Sequence, residues 1–132
     1  MHQYSKTVKR LLNEWKCEAH ERELHQELTK LDHEFTRWRA GEIESGELAL
    51  IVENCTKGPI RQLFSIYNNS FQDDNVAYAV ATGILHREEL PAALLAVVEE
   101  QIERFVERQG RNELATPEER LQDNARRRRR GN

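Results

Sequence analysis

Apolar residues recur at helical spacing through the first forty positions, but the stripe they form changes sides. On a helical wheel at about 100° per residue, Val8, Leu12, Trp15 and Ala19 fall within about 60° of one another. Leu24 lies about 160° from Val8, and Leu28, Leu31, Phe35 and Trp38 stay within about 40° of Leu24. One straight helix carrying both stripes must bury one side near its start and the opposite side near its end. The pattern predicts either a bend near residues 19–23 or two different neighbours.

Helix signals punctuate the rest of the chain. Ser5 is placed to cap the first helix, which is expected to run to about Ala40 and stop at Gly41. Ser45 is expected to cap a short second helix bearing Leu48, Ile51, Val52 and Cys55, closed by Gly58, with Pro59 at the first turn of a third carrying Ile60, Leu63, Phe64 and Tyr67. Asp73 or Asp74 should cap a fourth helix with Val76, Val80 and Ile84 on one stripe, and small Ala79 and Gly83 a turn apart beside them. Pro91 opens a last long helix with Leu94, Leu95, Val98, Ile102 and Phe105, ending near Gly110. Thr116, Pro117 and Glu119 make a capping-box start for one further short stretch reaching about Leu121, where few apolar residues remain to hold it.

No run alternates as a strand does. The expected fold is therefore all-α: about five helices, with long N- and C-terminal helices paired as a hairpin or bundle, shorter central helices packed as a cap, and a disordered basic C-terminal tail. Residues 1–110 are read as the helical domain and 111–132 as the tail.

Composition changes the picture in one respect. The chain has 132 residues, 33% charged and 38% hydrophobic, with a net charge of −3. Residues 111–132 hold seven arginines against four acids, so the body carries −6 and the tail +3. An acidic body with a basic end points to a binding partner rather than to a small substrate. Neither the N-terminus nor any apolar run approaches the roughly 20 residues that span a bilayer, and Cys17 and Cys55 form no paired motif. No membrane association is expected, and the location is read as cytoplasmic.

Candidate chemistry is sparse. Glu14, Glu18, Glu21, His25 and Asp32 share one edge of the first helix, but without the repeated Glu-x-x-His of carboxylate-bridged metal bundles they read as a solvated acidic face. Cys17 sits in mid-helix, away from the cations or helix start that activate a thiol. No catalytic residue, metal or cofactor is assigned. The leading expectation is a non-enzymatic helical interaction or oligomerisation module, a homodimer or the binder of another protein, using Val8, Leu12, Trp15 and Ala19 as its interface. The alternative is a nucleic-acid-associated accessory factor that meets phosphates through Arg126, Arg127, Arg128, Arg129 and Arg130.

Overall fold

The computed structural model describes residues 4–68 and 71–130. It is helical throughout, with no strand among the described residues. In chain order the helices are α1 (Lys6–Arg39), α2 (Ser45–Cys55), α3 (Arg61–Tyr67), α4 (Gln72–Ala81), α5 (Ala92–Gly110) and α6 (Pro117–Arg130). A π-helical turn, Thr56–Ile60, joins α2 to α3, and a 3₁₀ turn, Arg87–Glu89, precedes α5.

Continuous over 34 residues, α1 meets its two-faced pattern with different neighbours along its length. Its first half packs on α3, α4 and α5, while its second half runs alongside α2. At its start the Ser5 hydroxyl accepts the Val8 N–H at 3.1 Å. At its end Gly41 adopts φ +79°, and the Gly41 and Glu42 N–H groups return to the carbonyls of Trp38 and Arg37. A left-handed residue is the usual way to close the last turn, and glycine adopts it without a Cβ clash.

Several expected boundaries move by a residue or two, and neither α2 nor α4 has a side-chain cap at its start. Ser45 is the first residue of α2, not its cap, and its hydroxyl accepts from the Trp38 indole at 3.0 Å. Helix α4 starts at Gln72, ahead of Asp73 and Asp74, and stops at Ala81; Gly83 follows it at φ +84°, so Ala79 and Gly83 do not form a helical small-residue pair. Gly58, at φ −94° and ψ −106°, breaks the helical path between α2 and α3 as expected of it.

The core is one cluster. Leu12 and Ala19 of α1, Leu63 and Tyr67 of α3, Val76, Ala77 and Ala79 of α4, and Leu94, Val98 and Ile102 of α5 are all buried in it. Helix α4 lies against both long helices, and α5 packs mainly on α4. The first and last long helices do touch, but each meets α4 more extensively, so the expected hairpin is a layer that includes α4, whose alanines allow close approach.

The largest departure from the sequence reading is α6. The capping signal and sparse apolar residues predict a short stretch to Leu121 followed by disorder, whereas the helix continues to Arg130 and packs on α3. Its capping box forms: the Glu119 N–H reaches Thr116 Oγ1 at 3.2 Å and the Thr116 N–H reaches Glu119 Oε1 at 2.9 Å. The helix is held mainly by polar side chains, which hydrophobic periodicity does not register, and cations in its last turns suit the negative end of the helix dipole. Gly131 and Asn132 lie outside the described residues.

Candidate nucleic-acid interface

The polar seam that fixes α6 sets the geometry of everything beyond it. Arg120 reaches inward, and its Nη2 donates to both carboxylate oxygens of Glu23 on α1, at 2.6 and 2.7 Å. Both side chains are largely out of water, at 16% and 6% exposure. Tyr67 donates its phenol O–H to the same carboxylate. The Arg120 guanidinium also lies 4.6 Å above the Tyr78 ring, a cation–π contact. One turn further on there is a second link, since Asn124 Nδ2 donates to Gln62 Oε1 of α3 at 2.7 Å.

These contacts shift proton affinities in consistent directions. Burial, and then the negative charge of Glu23, pushes the Tyr67 phenol well above its ordinary value. Burial likewise pushes Tyr78 up to about 12. For Arg120 burial works against the charged form, but the hydrogen bonds and charge of Glu23 outweigh it and raise the guanidinium further. These directions keep the Tyr67 and Tyr78 hydroxyls protonated and the Arg120 guanidinium charged, which suits a clamp between α1 and α6.

Beyond the clamp, Arg126 to Arg130 form the exposed end of α6. Five successive helical positions sweep about 400°, so their guanidinium groups point all round the axis. Arg126 pairs with Asp123 at 2.9 Å. Arg127, Arg128, Arg129 and Arg130 have no ion pair among the described residues, and neither has Arg61 on α3. Arg61 and Arg128 come together along one groove, with Phe64 and Ser65, between α3 and α6. Elsewhere Arg10, Arg22, Arg37, Arg87, Arg104 and Arg111 each meet a carboxylate. Arg39 and Arg108 meet only the Thr36 hydroxyl and the Glu113 carbonyl, so the largest group of arginines without a carboxylate is the one where α3 meets the end of α6.

The expected protein interface has a different surrounding. Leu12 and Ala19 are 3% and 0% exposed in the core, with Val8 and Trp15 partly buried against it, so the chain's own helices cover that stripe. The second stripe is the more open one: Leu28 is 50% exposed and Trp38 39%, with Leu31 and Phe35 half-buried between them. On the acidic edge Glu14 and Glu18 pair with Arg10 and Arg22, and His25 Nδ1 lies beside the Thr29 hydroxyl. Cys17 and Cys55 are free thiols. Among the described residues no group of three or more His, Cys, Asp or Glu is arranged to hold a metal ion, and no helix is long and apolar enough to cross a membrane.

Sequence reasoning missed Glu23, Arg120, Arg61 and the exposure of Phe64. Arg61 and Phe64 are a turn apart, a spacing that puts a cation beside an aromatic on one helix face, and that signal was available. Nothing local links Glu23 to Arg120 across 97 positions. No protein-family model, curated protein or solved structure matches the chain.

Proposed function

We propose that this protein is a non-enzymatic nucleic-acid-binding accessory factor whose contact surface is the arginine end of α6 together with Arg61. One observation carries the reading: the guanidinium groups of Arg61 and Arg127 to Arg130, which have no carboxylate partner among the described residues, lie at one end of a molecule whose other arginines are largely paired. Gathering like charges without counter-ions is unfavourable, by about 0.2–0.5 kcal/mol for each pair one turn apart on a helix. A polyanion removes that repulsion and gains the entropy of its released counter-ions. A helix holds the arginines in place, so less side-chain and backbone freedom is lost on binding than from a disordered tail.

The test is a titration of intact protein and of a form lacking residues 126–132 against nucleic acid at several salt concentrations. Truncation is expected to weaken binding and to flatten the log–log salt dependence by up to about 4.5, the value for five duplex phosphate contacts. Equal affinities and equal slopes for the two forms would sink the proposal.

A second reading keeps the protein-interaction role but moves it to the other stripe. It is favoured by the half-exposed Leu28 and by Trp38 on the second half of α1, which the chain's other helices leave partly open to water. Self-association into a homodimer through that face would cover them.

A further inference from the structure

Resting on the nucleic-acid reading, we infer that the groove between α3 and α6 is a stacking site for an unpaired base, so that the preferred ligand is a single strand and not a duplex. The groove, about 530 Å³, is lined by Thr56, Arg61, Phe64, Ser65, Asn68 and Arg128. Two of these are cations, one is aromatic, three carry neutral hydrogen-bonding groups and none is a carboxylate. That set matches a nucleotide: phosphate for the guanidinium groups, a flat base for the ring, and polar edges for the rest.

Phe64 carries the argument. A phenylalanine left 47% exposed among cations gains nothing from water, and a duplex offers it no free base face. Its ring is also held in one orientation. The His20 imidazole packs edge-on against it with centroids 4.6 Å apart, and His20 itself stacks on buried Tyr67 at 4.9 Å and 17°. Burial lowers the proton affinity of His20, so the brace stays a neutral aromatic near pH 7 and adds no further charge. Arg61 precedes Phe64 by one turn, and Arg128 reaches the groove from α6, so the strand's backbone has a cation supplied from each of two helices.

The experiment uses the full chain and fluorescence anisotropy with labelled oligo(dU), oligo(rU) and a duplex of the same length at one salt concentration. Wild type is expected to bind at least one single strand more tightly than the duplex, the better of the two telling deoxyribose from ribose as the source. Phe64→Leu keeps apolar bulk but removes the ring, and should weaken single-strand binding roughly tenfold to a hundredfold, the effect of one lost base stack, while duplex binding stays nearly unchanged. Phe64→Trp should restore it. Arg61→Gln and Arg128→Gln, both at exposed positions, should each lower the single-strand salt slope by about 0.7 and keep the groove testable where Phe64→Leu fails to fold. A wild type that favours the duplex, or a folded Phe64→Leu that binds strands like wild type, overturns the stacking site while leaving phosphate binding by α6 intact. Binding of neither strand nor duplex removes the accessory-factor reading as well.

Discussion

At the scale of single residues, the Glu23–Arg120 pair governs where the arginine end sits. Buried ion pairs add little net stability over apolar substitutes, because desolvation offsets most of the Coulomb attraction. Removing one partner is different, since it leaves a charge out of water with nothing to balance it. Arg120→Met should therefore destabilise the protein by about 3 kcal/mol, the low end of the usual range because the Tyr67 hydroxyl still donates to the Glu23 carboxylate. Adding Glu23→Gln should recover much of that loss, since the amide is neutral and keeps an acceptor for Tyr67. Urea denaturation of the two single variants and the double variant measures the coupling between the residues. Additive losses would mean that the two groups do not sense each other and that the clamp is not what holds α6.

Helices divide into those that the apolar pattern marks and one that it hides. The two-sided stripe of α1, the Pro91 start before α5 and the Ser5 cap are all visible in sequence, because each is a local consequence of spacing or of a capping side chain. What spacing leaves open is which side of α1 the core takes: Leu12 and Ala19 face it, while Leu28 stays half in water, a choice made by distant α4 and α5. Helix α6 is hidden because its anchors are Arg120 and Asn124, residue types that read as solvent-facing until their partners Glu23 and Gln62 are brought beside them. The same anatomy predicts unequal effects of shortening it. Deleting residues 126–132 removes side chains that are exposed in the described part, and the melting temperature should hardly change. Deleting residues 117–132 removes Arg120 and uncovers Leu121's contact with the core, so it should lower the melting temperature by several degrees or more. Circular dichroism melts of the two truncations decide it, and similar melting points would mean that α6 docks too weakly to carry the arginines as a fixed surface.

Across the whole molecule, a body of −6 and a C-terminal end of +3 make two kinds of self-contact conceivable, and salt separates them. Basic end against acidic body is a head-to-tail contact that leaves a free surface at each end, so it grows into open chains and weakens as salt screens it. Contact through the second stripe of α1 is self-complementary, closes as a dimer, and buries Leu28 and Trp38 in a way that salt does not screen. The second functional reading requires the latter. Light scattering at high micromolar protein should then give a dimer mass at low and high salt alike. Leu28→Glu, at a side chain 50% exposed in the single chain, should yield a folded monomer, because a carboxylate in the dimer contact would lose its water without a partner. Leu12→Glu, at 3% exposure, should instead unfold the protein, since the same charge enters the core. A wild type that is monomeric throughout removes the dimer and leaves the arginine end as the surface to pursue. Association that disappears at high salt assigns the contact to charge and not to the stripe.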